Sequence, residues 1–141
     1  VEQALVEYQK ISRIHPKNPQ APFQSGMACE KLKRPAEAIA HYRSSLKHSP
    51  HYLPALNNLA FLLSSHPEHL NAKEGLQLAS LAAKLTNHQQ AAILDTLASA
   101  QLANGDGTTA LSTLVKALGL AETNQQRALI QELKRKIEDL K

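Results

Sequence analysis

The sequence predicts an all-α solenoid: antiparallel helix hairpins stacked in line, about three and a half of them, closed by a C-terminal capping helix. Three observations lead there. Ala4, Tyr8 and Pro16 return as Ala38, Tyr42 and Pro50, each 34 residues later, and self-similarity at a fixed period is the mark of a repeat architecture. A second helix type alternates with the first: QSGMACEKL around Gly26, LNNLAFLL around Ala60 and LDTLASAQL around Ala98, with Gly26 to Ala60 again 34 residues. Finally, Leu and Ala dominate the 43% apolar fraction of the 141 residues, while Val and Ile are few and Trp is absent. That choice favours helix over sheet.

The opening segment VEQALVEYQKISRIHP reads as a helix stopped at Pro16. Pro16 and Pro19 bracket the turn that follows, and QSGMACEKL forms the next helix with Gly26 as its small packing residue. In Ala36–Pro50 the order Ala38, Tyr42, Ser45, Pro50 describes a helix whose small residues admit a neighbouring backbone and whose ring fills the space between them. Pro35 suits the first turn of that helix, where a missing N–H costs nothing. Pro50 and Pro54 bracket the next turn before LNNLAFLL. The stretch SSHPEHLNAKE reads as an insertion ahead of the helix marked by Gly75, Ala79 and Ala82. Beyond LDTLASAQL, Gly105-Asp106-Gly107-Thr108 is a tight turn with Thr108 as the expected N-cap of the helix marked by Ala110, Leu114 and Ala117. From Asn124 the chain becomes charged. Ile130, Leu133, Ile137 and Leu140 mark one face of a last helix, and Glu132–Lys136 and Arg135–Asp139 are placed to pair across its outer side. A polar-sided end helix is what a stack of repeats needs as a cap.

These small residues, rings and prolines at a 34-residue period resemble tetratricopeptide repeats over essentially the whole chain. The pattern is met best by 19–52, more loosely by 53–90 with its insertion, and again by 91–123, where Glu122 stands in place of the closing proline. Residues 1–18 match only the second helix of a unit, and 124–141 is the capping helix. The resemblance implies a right-handed superhelical solenoid whose first helices line a concave groove that takes up peptide. It also implies which residues face that groove: Phe23, Met27 and Glu30 from 19–52, Asn57, Asn58 and Phe61 from 53–90, Asp95 and Ser99 from 91–123. Phe23, Phe61 and Met27 are the only two Phe and the only Met; an apolar cluster with a polar rim suits a peptide anchor. For Phe23 and Met27, at i,i+4, packing against the opening helix is an equal alternative.

Enzymatic chemistry finds no foothold in the pattern. There is no Gly-rich loop between strand and helix, no GxSxG, no HExxH and no Cys pair. Cys29 stands alone and, like Ser25, falls on a packing face. His48/His51 and His66/His69 have metal-compatible spacing, but each pair straddles a proline turn, so no metal and no cofactor is expected. Net charge is +4, with the excess before Pro54. It is too dilute, and too poor in interleaved rings, for nucleic acid. No apolar run reaches membrane-spanning length and no signal peptide is visible. The expected protein is soluble, cytoplasmic or periplasmic. The chain starts at Val1 rather than Met, as a piece cut from a longer protein would.

The expected function is a non-catalytic protein-interaction module or scaffold that binds a partner peptide or helix in its groove. Two grooves familiar in the resembled family fit poorly. A carboxylate clamp needs Lys, Asn and Arg residues, yet only Asn58 is in place, with Phe23, Met27, Ala92 and Thr96 elsewhere. The Asn ladder of repeats attached to sugar-transferring enzymes is reduced to Asn58, with Gln24 and Thr96 in the equivalent places. The alternatives are a self-associating structural domain, joined through an open N-terminal face around Leu5, Tyr8 and Ile11, or the accessory domain of a larger enzyme such as a glycosyltransferase.

Overall fold

In the computed structural model, which describes residues 1–141, eight helices run one after another: α1 (Glu2–Ile14), α2 (Gln20–Lys31), α3 (Pro35–His48), α4 (Leu53–Ser65), α5 (Ala72–Leu85), α6 (Ala91–Ala103), α7 (Gly107–Thr123) and α8 (Arg127–Asp139). The insertion in SSHPEHLNAKE becomes a short 3₁₀ turn at Pro67–His69 between α4 and α5.

Local chemistry sets the helix ends. Pro35 opens α3 as its first residue. Asn71 caps α5 by accepting from the Glu74 amide at 3.2 Å. The cap of α7 differs from the expected Thr108: Asp106 accepts from the Thr109 amide at 3.1 Å, and the helix already begins at Gly107. A carboxylate three residues before an amide reaches it, whereas Thr108 lies inside the first turn. At the other ends, α2, α5, α6 and α7 each finish in the left-handed turn that redirects the chain, at Lys33, Asn87–His88, Gly105 and Gln125. A bond spanning five residues closes each one: Arg34 N–H to Cys29 C=O, His88 to Ala83, Asp106 to Gln101 and Gln126 to Ala121. These are Schellman closures. Only Gly105 makes its turn without a side chain opposing it.

The helices pair as α2 with α3, α4 with α5 and α6 with α7. Successive hairpins join through α3 on α4 and α5 on α6, and α4 also touches α6. α1 packs on α2, and α8 packs on α7. Contacts run only between near neighbours, as in a solenoid. Two apolar clusters fill the interior, one spanning α1–α4 and one spanning α4–α8, and Leu46 and Leu78 touch both.

Small residues hold the spacing. Ala38, Ala55, Ala60, Ala79, Ala82, Ala100, Ala110 and Ala117 have no exposed surface at all. Two glycines admit close approaches: the Tyr42 ring lies over Gly26, where an added Cβ would lie 2.5 Å from a ring carbon, and at Gly75 an added Cβ would meet the Ser64 hydroxyl. Ser45 is equally buried and donates its hydroxyl to the Pro19 carbonyl at 2.7 Å, tying α3 to the start of α2. Arg43 of α3 pairs with Glu74 of α5 at 2.6 Å. α8 is held through Lys136, which meets Asp95 of α6 at 2.8 Å and Glu132 at 3.2 Å. The expected pair Arg135–Asp139 forms at 3.1 Å on the outer side.

The opening helix corrects one expectation. Leu5 is not part of an open face; it is 3% exposed and belongs to the N-terminal cluster. α1 turns Leu5 onto α2 and leaves Tyr8 half-buried and Val6, Ile11 and Ile14 exposed.

Two glycine substitutions separate packing from propensity. Gly26→Ala improves helix propensity yet drives a Cβ into a buried ring, and should cost about 1–3 kcal/mol. Gly119→Ala sits mid-helix with nothing within 4 Å of the new carbon, and should gain about 0.5–1 kcal/mol. Urea unfolding of both variants measures the opposite signs.

Candidate partner-binding face

The residues expected in the groove lie on α2, α4 and α6, and the structure commits most of them to the fold as well. Tyr42 reaches from α3 between two first helices. Its hydroxyl donates to Glu30 of α2 at 2.5 Å and accepts from the Asn58 side-chain amide of α4 at 3.3 Å. Phe23 is half-buried, with its ring 5.7 Å from both Tyr42 and Tyr52 and edge-on to the latter. Met27 is half-buried too, in a small hollow shared with Val1, Ala4 and Tyr8 of the opening segment. The packing alternative therefore describes Met27, whereas Phe23 packs on Tyr42 of its own hairpin and on Tyr52 at the start of the next.

Further along, Phe61 is the exception. It stands 44% exposed in a helix whose Leu56, Leu59, Leu62 and Leu63 are buried. Asn57 precedes it by one turn, half-buried, with a side-chain oxygen that has no partner. Asp95 is held by Lys136, their side chains 15% and 22% exposed. Ser99 donates to the Asp95 backbone carbonyl at 3.2 Å. Thus α8 covers the last part of the face, and α2 and α4 leave its middle open.

Sequence reasoning missed three residues here. Lys33, Leu62 and His66 line a hollow of about 320 Å³ together with Glu30 and Pro35. Lys33 arrives there through its left-handed turn and His66 through the cap of α4. The rings of His66 and His69 lie 5.2 Å apart across the 3₁₀ turn. The proline turn was readable, but the return of His66 toward α2 depends on how α2 and α4 stack.

Electrostatics on this face centre on Tyr42. Burial, reinforced by the bond to Glu30 and opposed by that from Asn58, pushes its phenol well above the usual tyrosine value. Cys29 is fully enclosed, and burial raises its thiol likewise. Neither Cys29 nor the fully buried Ser25 reaches the surface where a substrate would sit.

The class of fold is now defined: a tetratricopeptide-repeat solenoid of paired helices. No family model matches the chain, and none of the curated proteins does. Solved structures do. The crystal structure of MamA protein matches with a TM-score of 0.71 at 15% identity, over 89% of this chain and 66% of that one. The chain thus spans about two thirds of the length of that protein. The Sgt2 TPR domain from Aspergillus fumigatus matches with a TM-score of 0.65 at 20% identity, over 86% of this chain and 80% of its own. TTC0263, a thermophilic TPR protein in Thermus thermophilus, gives 0.69 at 19% identity over 94% and 72%. At such identities the likeness is one of fold.

Tyr42 yields a pH prediction. Its folded pKa is raised above the unfolded value near 10, so its contribution is complete below about pH 10 and is lost as pH rises toward the folded value. Stability should therefore fall in alkali as the buried Tyr42 phenol is driven to ionise. Tyr42→Phe should lose about 1–2 kcal/mol at neutral pH and abolish that alkaline loss. Urea midpoints from pH 7 to 11 measure both.

Proposed function

We propose that this chain is a non-catalytic interaction module that docks a partner segment along the face of its first helices, with Phe61 as the apolar anchor. One observation carries the reading: Phe61 is a large ring left 44% exposed on α4, a helix whose Leu56, Leu59, Leu62 and Leu63 are buried. Burying such a ring contributes about 1.5–3 kcal/mol to whatever covers it. Polar groups flank it for the partner's backbone: Asn57 one turn before, Asn58 beside it and Glu30 at the neighbouring hollow. The structural likenesses support a protein partner, since TPR domains are among them.

Within this proposal the eight residues divide by role. Phe61, Asn57 and the free oxygen of Asn58 contact the partner. Phe23, Met27 and Glu30 shape the wall beside them. Asp95 and Ser99 border the end that α8 closes.

Selection from a displayed random-peptide library provides the test. Enriched peptides should share an apolar anchor and bind at least about tenfold more weakly to Phe61→Ser. The variant should keep its thermal midpoint, because Phe61 is outside both core clusters. Peptides that bind Phe61→Ser as well as the wild type would refute the anchor.

A further inference from the structure

The seam between α2 and α4 is open where the next seam is closed. His66 caps the end of α4 and Asn104 the end of α6, 38 residues apart, like Ala60 and Ala98. Pro35 and Ala72 stand in matching places as the first residues of α3 and α5. At the later seam the Asn104 amide donates to the Ala72 carbonyl at 2.8 Å and to the Ala100 carbonyl at 2.7 Å. There α4 packs on α6, and none of the hollows reaches Ala72 or Asn104. At the earlier seam an imidazole takes the place of the amide. His66 Nδ1 is buried with no hydrogen-bond partner. A hollow of about 320 Å³ remains, lined by Pro35 and His66 with Glu30, Lys33 and Leu62.

We propose that this hollow receives an Asp or Glu side chain of the segment that docks over Phe61, its carboxylate on Lys33 and His66 and its methylenes on Pro35 and Leu62. The inference rests on the docking reading above and adds the partner's charge to it. Leu62, which follows Phe61 in α4, joins the two places. Lys33 is exposed and enters none of the ion pairs of the chain. With its ring proton on Nδ1, His66 needs an acceptor, and a carboxylate supplies what the Ala72 carbonyl supplies to Asn104. Glu30 is the one carboxylate on the hollow, and it already accepts from the Tyr42 hydroxyl. Its charge disfavours a phosphate dianion more than a single carboxylate.

The surroundings also favour an acidic partner over a basic one. Before Pro54 the chain carries eight Lys and Arg against four Glu. Lys10 pairs with Glu7, Arg34 with Glu2 and Arg43 with Glu74. Arg13, Lys17, Lys31, Lys33 and Lys47 are left without an ion pair, against Glu30 and Glu37. Such an excess draws in acidic segments and repels basic ones.

The probes are peptides selected on the intact chain from a displayed random library, then synthesised with fluorescein and a C-terminal amide. Enriched peptides should carry Asp or Glu at one fixed spacing from their apolar anchor. In anisotropy titrations, changing that residue to Asn or Gln should weaken binding to the wild type at least about threefold, and should have no effect on binding to Lys33→Gln. Lys33→Glu should reverse the preference, favouring a peptide with Lys at that place. His66→Asn, which supplies the amide found at Asn104, should close the hollow and abolish the preference for acid. Lys33 lies outside both core clusters, so its variants should keep the thermal midpoint. Phe61→Ser tests the docking reading separately, since it should weaken acidic and neutral peptides by the same factor. Peptides that need Phe61 but keep their acidic preference on Lys33→Gln overturn this inference and leave the docking reading standing. The inference is also overturned if no acidic residue is enriched, if only peptides with a free C-terminal carboxylate bind, or if phosphoserine at that place binds more tightly than Glu.

Discussion

Tyr42 over Gly26 is the contact on which the N-terminal half of the structure depends. The ring is wholly buried and lies against a residue with no side chain, so α2 and α3 approach at backbone distance. A buried phenol needs hydrogen-bond partners, and it takes them from the helix before and the helix after. One side chain thereby joins α2, α3 and α4. Later hairpins solve the same problem with different volumes: Ala79 and Leu114 take the place of Tyr42, and Ala60 and Ala98 the place of Gly26. All four are buried. The opposed volumes are reapportioned while the close spacing is kept, as dense interior packing requires.

The two ends of the stack are unlike, and the cause is chemical. α8 turns Leu133 and Ile137 inward and leaves charges outward, so it finishes the core against water. α1 buries Leu5 and leaves Tyr8 and Ile11 at the lip of a cleft. That end retains the small residues and the ring that elsewhere receive a helix.

The fold draws on side chains that the sequence alone would assign to recognition. Glu30 and Asn58 serve the Tyr42 hydroxyl, Phe23 packs on Tyr42 and Tyr52, and Asp95 anchors the cap. Buried polar networks of this kind rigidify what they connect. On the proposed reading the face that remains for a partner is therefore narrow, and it centres on Phe61, which stands 44% exposed. Its rigidity lowers the ordering cost a partner would otherwise meet.

The repeat itself was legible in the chain. Close helix packing admits only small residues at particular places, and a solenoid imposes the same places on every unit, so Ala4, Gly26, Ala38 and Ala60 expose both the helices and their pairing. Ends set by proline, and the i,i+4 pairs of α8, were legible because the interactions are local. Whether Asp106 or Thr108 caps α7 turned on a single residue of register. What only the tertiary structure decided is which neighbour covers each face. Leu5 and Ile11 share an amphipathic helix, yet one meets α2 and the other meets solvent. Asp95 looks like a free groove carboxylate until α8 folds back 41 residues later to bring Lys136 against it. Periodicity records that a face must be buried; the partner across it is non-local, and only the stacked backbone supplies it.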